Sequence, residues 1–400
     1  MSILVMTRYD SNRANIEEWV KDYKEPVVLI TNKDVSDSHS NLTEKVVFDQ
    51  YIDDYSVEVR VRELHEKYKF KRLIVFEEFD IERAGIIRQT LKIPGQFINS
   101  ANAFRDKVIM KSFVQEAGIK VPNFKSISNS FDLLEFTNEF GFPIFLKPKK
   151  GMASIGTSKI GNEVELVNWL KKNKPVDFMV ETYIEGDVYH TDGLVKNGKI
   201  IFFSAFSYVN TIFSSHSLDG LGDKLITEDN MLLERFKNYT EHVLCALPCP
   251  DVFTFHLEFF LTKDDEILFC EIASRTSGFL VPNIIKKAYN VSLDQELLVN
   301  QLNDDNKEIQ ETKPTKYYLA FYRPLKKGKL VKKINSLPFP CIEEYEIKGE
   351  EDKIYNPTAY FETYVRFIIS AKSEKELDQQ LQLVNEYIDE NTIWEESEII

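Results

Sequence analysis

Short apolar runs alternate with helical stretches along the first hundred residues. Residues 3–6, 27–30 and 72–76 are rich in Ile, Leu and Val and have the length of buried strands. Strands that alternate with helices are typical of a parallel sheet covered by helices. The pattern therefore predicts a small parallel α/β domain over residues 1–98.

The middle of the chain carries longer elements. A helix is predicted from about residue 106 to residue 117, because Gly118 is an ordinary stop signal. Further on, Asn197-Gly198 predicts the tight turn of a hairpin that spans residues 188–203. We assign these elements to a second domain, residues 99–311.

The end of the chain has a third pattern. Residues 317–322 and 364–370 have the composition of strands, and Ser373 with Glu376 forms a capping box that begins a final helix. These elements predict a C-terminal α+β domain over residues 312–400.

Two acids stand in one predicted hairpin. A two-residue turn at Asp264-Asp265 places Glu258 directly opposite Glu271. Cross-strand neighbours have Cβ atoms about 5 Å apart, so two carboxylates repel unless a proton or a cation lies between them. Oxygen ligands of this kind suit Mg²⁺, which we predict as the occupant. The alternative is an edge hairpin with both acids in solvent, which a one-residue slip in the turn would produce.

Strand alternation adds two side chains to the face of the acid pair. Arg275 lies on that face and could hold a phosphate or a carboxylate through two hydrogen bonds. His256 falls opposite Ala273, so its ring projects over a small side chain. Two interpretations stay open for His256: a substrate or phosphate contact, and a histidine packed under the strand.

A loop of small residues, 151–158, follows a strand end that carries Lys147. Backbone N–H groups of such a loop can wrap phosphates while the lysine supplies positive charge. The loop lacks the Gly-Lys-Ser or Gly-Lys-Thr ending of the common phosphate loop, so a surface turn is the alternative. No glycine-rich fingerprint follows the first strand, which disfavours a dehydrogenase.

Composition narrows the class of protein. The 400 residues are 43% hydrophobic and carry a formal charge of −14, which argues against a nucleic-acid or anionic-membrane binder. No apolar run approaches the roughly 20 residues of a membrane span, and the expected location is the cytoplasm. The four cysteines form no disulfide-like framework.

The order of these signals resembles the ATP-grasp superfamily. The shared features are a lysine on an early helix, a Lys-Pro strand end, the small-residue loop, Glu181-x-x-Ile184 before a glycine, and Glu258 followed by Glu271-x-x-x-Arg275. The resemblance covers nearly the whole chain. It implies a multidomain α/β and α+β protein whose ATP-grasp domain has a small nucleotide-covering subdomain at about residues 115–185. The C-terminal part is similar to the extra domain of the L-amino-acid ligases.

The resemblance also implies a role for each matching residue. By this resemblance, Lys107 and Lys147 would contact the phosphates of ATP. Ser154 and Gly156 would belong to the mobile loop over the phosphates, and the main-chain groups of Glu181 and Ile184 would read adenine. Glu258 and Glu271 would hold Mg²⁺, with Mn²⁺ as an alternative metal, and Arg275 would steady the transferred phosphate. The alternatives are solvated surface lysines and, for Glu181, an ordinary edge-strand acid.

Two departures from the superfamily pattern leave roles open. Val188 stands where a ribose-binding glutamate is common, so Asp187 or Asp192 could serve instead. Ala273 stands where many members have a metal-ligating asparagine. His190 shares a strand face with Asp192, and it either lines the ribose or acceptor side or forms an internal hydrogen bond with that acid.

The implied reaction joins a carboxylate to an amine with ATP. The substrate carboxylate attacks the γ-phosphate to give an acyl phosphate and ADP, and the amine then displaces phosphate. We favour amino acid or peptide substrates, with His256, His190 and His216 as substrate contacts and a homodimer left open. The alternatives are a ligase of another carboxylic acid or of a peptide end, and an ATP-binding protein without turnover.

Overall fold

The N-terminal part is a parallel sheet flanked by helices. The computed structural model describes residues 1–210, 220–303, 309–310, 312–357 and 362–395. The strands here are β1 (Ile3–Met6), β2 (Val27–Asn32), β3 (Glu44–Phe48) and β4 (Arg72–Val75). The helices are α1 (Ile16–Trp19), α2 (Lys33–Ser36), α3 (Ser56–Tyr68), α4 (Asp80–Leu91) and α5 (Ile98–Arg105). The sheet order is β3-β2-β1-β4 and all pairs are parallel, as predicted.

The first strand is buried on both faces. Leu4 and Met6 pack in a cluster that includes side chains of α3 and α4, and Ile3 and Val5 pack in a second cluster on the other face. Parallel sheets are covered on both faces, so their strands are apolar throughout rather than alternating. This explains why a continuous apolar run identified β1.

A second, antiparallel sheet follows the helix α6 (Lys107–Glu116). Its strands and helices are β5 (Phe124–Ile127), α7 (Ser130–Phe140), β6 (Ile144–Pro148), β7 (Ser158–Ile160), α8 (Glu163–Lys172) and β8 (Phe178–Thr182), with the strand order β5-β8-β6-β7. Asp106 caps α6 by accepting hydrogen bonds from two backbone N–H groups, and the predicted helix is confirmed. One face of the sheet packs against Phe136 of α7 and Trp169 of α8.

The central sheet has eight strands and is antiparallel. Its elements up to residue 303 are β9 (Gly186–Lys196), β10 (Lys199–Val209), β11 (Leu221–Ile226), α9 (Leu232–Ala246), β12 (Val252–Thr262), β13 (Ile267–Ala273), α10 (Val281–Tyr289) and α11 (Leu293–Leu302). Asn197 and Gly198 both have positive φ, at 51° and 74°, so they form the predicted turn between β9 and β10.

The C-terminal part continues this sheet. Its elements are β14 (Tyr317–Pro324), β15 (Gly328–Lys332), β16 (Ile342–Ile347), β17 (Ile354–Tyr355), β18 (Thr363–Ala371), α12 (Glu374–Asn391) and β19 (Ile393–Glu395). The central order is β13-β12-β9-β10-β11-β14-β18-β16, and β17-β15-β19 form a small separate sheet. Backbone hydrogen bonds between β11 and β14 therefore cross the predicted boundary at residue 312.

The described residues include no helix that is both long and apolar enough to cross a membrane. All four cysteines are unpaired.

Candidate active site

The predicted acid pair is present. Glu258 in β12 and Glu271 in β13 are cross-strand partners. The predicted two-residue turn is wrong, because Thr262 pairs with Glu266 and leaves three residues in the turn. A bulge at Cys270 then shifts the register by one residue and restores the pairing. The two deviations cancel, so the facing residues are those predicted from the shorter turn.

The acid pair lines a cavity of about 650 Å³. Three of the four sheets contribute to its walls, through Glu78 after β4, Lys147 in β6 and Glu258 in β12. The side chains of Glu258 and Glu271 are 23% and 30% exposed, so neither acid is a freely solvated surface group.

Two predicted phosphate-binding lysines meet the acid pair. Lys107, the first residue of α6, donates to the carbonyl of Gly151 at 2.8 Å, and its Nζ lies 3.4 Å from Glu271 Oε2. Lys147 Nζ lies 2.8 Å from Glu181 Oε1 and 4.0 Å from the same Glu271 oxygen. Both lysines are buried, so the alternative of a solvated surface position is wrong for each.

Glu181 anchors a buried charge cluster under the cavity. Its strand, β8, lies between β5 and β6, so it is not an edge-strand acid. Its second oxygen lies 3.2 Å from Nζ of Lys111, a fully buried lysine that also donates to the Phe269 carbonyl. Burial raises the pKa of Glu181, but the two lysines outweigh it and lower that pKa.

Lys111 has no role in the sequence prediction. It lies one helical turn after Lys107 on α6, so both ammonium groups project from one helix face. Burial lowers its pKa although Glu181 opposes the shift. A second lysine on the face of a recognised one is the signal that would have found it.

The predicted nucleotide-covering groups lie partly at the cavity. Ser154 and Ile184 line it, and the φ of Ser154 is 51°. Gly156 is not among the lining residues; it has a φ of 75°, and a Cβ there would come within 3.1 Å of Pro148. Val188 lines the cavity while Asp187 does not, because successive side chains of β9 point to opposite faces. The structure therefore does not bring Asp187 to the predicted ribose position.

His256 lies over Ala273, as predicted, and points toward the acid pair. Its Nδ1 is 2.9 Å from Asp192 Oδ1 and its Nε2 is 3.2 Å from Glu258 Oε1. Tyr208 donates to the same Glu258 oxygen at 2.7 Å. Both ring nitrogens therefore have hydrogen-bond partners within the protein, and the ring contacts the acid pair through Glu258.

Electrostatic interactions keep Asp192, His256 and Glu258 charged. Burial lowers the pKa of His256, but the Asp192 carboxylate outweighs it and raises that pKa to about 10. Burial raises the pKa of Glu258, but the hydrogen bond and charge of His256 lower it to about 2. Glu258 is therefore ionised across the physiological range of pH.

His190 and Asp192 form the internal hydrogen bond that was one of their two predicted alternatives. His190 Nδ1 lies 2.6 Å from Asp192 Oδ2, and its Nε2 lies 3.2 Å from Asp223 Oδ1. Both residues are fully buried and neither lines the cavity. The structure therefore does not place His190 as a substrate contact or Asp192 at the ribose. The third predicted histidine contact, His216, lies outside the described residues.

Arg275 lines the cavity and is held by an acid from the N-terminal part. Its Nε donates to Glu78 Oε2 at 2.6 Å, and Arg105 donates to the other oxygen of Glu78. Burial raises the pKa of Glu78, but Arg275 and Arg105 outweigh it and lower that pKa to about 2. Sequence reasoning missed Glu78, although an acid directly after a buried parallel strand is a recognised signal of a site at the sheet edge.

The donor set of the acid pair fits Mg²⁺. Glu258 and Glu271 present carboxylate oxygens, and Mg²⁺ binds one or two carboxylates together with water and phosphate oxygens. Tyr208 and His256 both occupy Oε1 of Glu258. The oxygen that remains for a metal ion on this residue is Oε2.

Comparison with known proteins gives the class of this chain. Residues 112–279 match the ATP-grasp domain family. The fold is similar to that of an L-amino acid ligase from Bacillus licheniformis, with a TM-score of 0.79, 16% sequence identity and 99% of both chains covered. The chain therefore contains an ATP-grasp domain at residues 112–279, and the predicted fold class is confirmed.

Curated relatives give the branch. The chain is 25% identical over 287 residues to the L-arginine-specific L-amino acid ligase of Bacillus subtilis. This match covers 69% of this chain and 67% of the relative. It is 26% identical over 225 residues to a D-alanine-D-alanine ligase of Proteus mirabilis, which covers 52% of this chain and 60% of the relative. The prediction of an ATP-grasp ligase most similar to the L-amino-acid ligases is confirmed.

Proposed function

We propose that this protein is an ATP-dependent ligase that joins the carboxylate of an amino acid to an amine. The other products are ADP and phosphate, and the intermediate is an acyl phosphate. One observation carries the proposal: a single cavity brings two buried lysines, Lys107 and Lys147, to the acid pair, with Nζ of Lys107 3.4 Å from Glu271. Such a cluster of opposite charges provides for the phosphates of a nucleotide and for the metal ion that accompanies them.

The nucleotide lies between the four-stranded antiparallel sheet β5-β8-β6-β7 and the central sheet in this proposal. Lys107 and Lys147 contact its phosphates, the main-chain groups of Glu181 and Ile184 read its adenine, and the loop with Ser154 and Gly156 covers it. Closure of that loop would exclude water, which otherwise hydrolyses an acyl phosphate.

Glu258 and Glu271 hold Mg²⁺ in this proposal, with Mn²⁺ as an alternative. When bound, the ion offsets the negative charge of the phosphates and orients them. Arg275 contacts the transferred phosphate and the substrate carboxylate through the guanidinium N–H groups that Glu78 and the Thr276 carbonyl do not use. The role of the protein is positioning and charge neutralisation, and no enzyme nucleophile is required.

The substrates are small molecules in this proposal, and the location is the cytoplasm. Ribose contact by Asp187 is no part of it, because that side chain does not line the cavity. Assembly as a homodimer is a separate proposal, which sedimentation of the purified chain would test.

The function is tested by measuring ADP release on a panel of amino-acid pairs. We expect release that depends on an amino acid and a product whose mass equals that of the two substrates less one water. Tight ATP binding without turnover would support the non-catalytic alternative, and turnover only with other acids or peptide ends would support the other ligase alternative.

The Glu271→Ala variant tests the site. We expect it to lose ADP release by a factor of at least a hundred, an order of magnitude typical of a removed charge-stabilising group, because half of the acid pair is gone. Asp264→Ala, an exposed acid in the turn of the same hairpin, is the matched control and keeps wild-type activity. Near-normal activity of Glu271→Ala with an unchanged circular dichroism spectrum would refute the site.

A further inference from the structure

Two loops that the nucleotide proposal does not use meet at one wall of the cavity. Residues 7–14 follow β1, and residues 276–279 follow β13. They are in contact, because Arg13 Nη2 donates to the carbonyl of Ser277 at 3.3 Å. Both Arg13 and Ser277 line the cavity.

Arg13 is held more loosely than the neighbouring cavity arginines. Arg8 lies 2.5 Å from Glu77 and Arg275 lies 2.6 Å from Glu78. The nearest acid oxygen to Arg13 is that of Asp294, 3.8 Å from Nε and beyond hydrogen-bond reach. The guanidinium instead stacks on a ring, with its carbon 3.7 Å from the ring centre of Tyr9. Within the described part of the chain, Nε of Arg13 has no hydrogen-bond partner.

Ser277 presents a second donor without an acceptor. The residue is 1% exposed, and its hydroxyl has no hydrogen-bond partner among the described residues. Buried hydroxyl groups in folded proteins are nearly always hydrogen-bonded. An unpaired buried hydroxyl and an unpaired guanidinium nitrogen, on two residues that line one cavity and are in contact, indicate a ligand that accepts hydrogen bonds and carries negative charge.

We propose that Arg13 and Ser277 form a subsite for a substrate carboxylate that is not consumed in the reaction. The inference rests on the proposed ligase function, in which the reacting carboxylate lies with Arg275 and the acid pair. Tyr9 and Asp294 hold the guanidinium in place from behind. The subsite selects substrates by charge and takes no part in the bond-forming step.

A carboxylate that does not react has two sources in such a reaction. It is the α-carboxylate of the amine substrate when that substrate is an amino acid, or a side-chain carboxylate of the acyl substrate. Both sources survive in the amide product. Product analogues therefore present the carboxylate without the reacting group.

Two pairs of dipeptides separate the sources. L-Ala-L-Ala and its C-terminal amide differ only in the α-carboxylate of the amine residue. The amides of L-Glu-L-Ala and L-Gln-L-Ala differ only in the side-chain carboxylate of the acyl residue. Titration calorimetry with ADP and Mg²⁺ present measures the affinity of each dipeptide for wild type, for Arg13→Gln and Ser277→Ala, and for the surface control Arg60→Gln.

We expect wild type and Arg60→Gln to bind the acid member of one pair about tenfold more tightly than its amide partner, the typical value of a charge-assisted hydrogen bond. We expect Arg13→Gln to remove most of this tenfold preference and Ser277→Ala to remove part of it. The affinity for ADP is unchanged in both variants. The pair that shows the ratio identifies the source of the carboxylate. Equal affinities in both pairs, or a ratio that survives Arg13→Gln and Ser277→Ala, overturn the subsite.

The same proteins separate this inference from the proposed function. Wild type that releases ADP with amino acids but shows no preference for the acid members overturns the subsite alone. Wild type that prefers an acid member but never releases ADP overturns the ligase and leaves an anion-binding cavity.

Discussion

Glu78 and Glu258, two carboxylates of the cavity, have partners that keep them ionised. The two oxygens of Glu78 accept from Arg275 and Arg105, and Oε1 of Glu258 accepts from Tyr208. Because these acids stay ionised, their positions are fixed by directional hydrogen bonds before any substrate enters. Preorganised charge of this kind is what electrostatic stabilisation of a phosphoryl transfer requires.

Acid weakens the Glu78 cluster in a defined pH window. The pKa of Glu78 in the folded protein is about 2, against an ordinary value of 4.5, so its stabilisation is complete above pH 4.5 and is lost as pH falls toward 2. The difference corresponds to roughly 3 kcal/mol. We expect wild type to exceed Glu78→Gln in free energy of unfolding by an amount that shrinks between pH 5 and pH 3.

Urea unfolding of both proteins at several pH values measures this difference. The exposed Glu139→Gln is the control and differs little from wild type at each pH. A Glu78→Gln deficit of constant size from pH 6 to pH 3 would contradict the assigned charge state.

Sequence alone identifies most of the single residues but not all of their partners. Lys107, Lys147 and the acid pair were predicted and lie together. Glu78 was missed because it comes from another sheet, and its contact with Arg275 depends on how the two sheets pack. Asp192 was considered for ribose, yet it is buried and held by two histidines, of which His190 is close in sequence and His256 is 64 residues away.

Strand geometry at the level of elements explains why the hairpin prediction succeeded. The three-residue turn and the bulge at Cys270 each shift the register by one residue, in opposite directions. Neither the turn segment Lys263-Asp-Asp-Glu266 nor the residues around Cys270 carry a distinct sequence signal of these shifts. The pairing of Glu258 with Glu271 was therefore predicted correctly from an incorrect turn.

β9 lies at the centre of the large sheet and depends on a glycine. A Cβ at Gly193 would lie 2.3 Å from the Phe202 carbonyl oxygen and 2.7 Å from ring carbons of Phe255. We expect Gly193→Ala to lower the free energy of unfolding by about 1–3 kcal/mol, the usual effect of overpacking. Urea denaturation measures the change. Gly161→Ala, where the nearest atom would be 3.4 Å away, is the control and stays within about 0.5 kcal/mol of wild type. Equal effects of the two substitutions would contradict the packing described for β9.

Three sheets surround one cavity in the whole molecule. The parallel sheet contributes Glu78, the antiparallel sheet β5-β8-β6-β7 contributes Lys147, and the central sheet contributes Glu258. The part after residue 312 also reaches the cavity, because Tyr322 of β14 is among its lining residues.

The predicted division into three domains describes the order of elements, while the central sheet runs across the last boundary. That continuity was not readable from the sequence, because pairing of β11 with β14 joins strands almost a hundred residues apart.

In the proposed reaction, one cavity activates a carboxylate by phosphoryl transfer. Its most direct test uses an amino acid labelled with ¹⁸O in the carboxylate, once a productive substrate pair is known. We predict that one labelled oxygen appears in the released inorganic phosphate, in equal amount to ADP and amide, as mass spectrometry of the phosphate would record. Unlabelled phosphate accompanying amide formation, or label in AMP, would contradict transfer of the γ-phosphate to the substrate carboxylate.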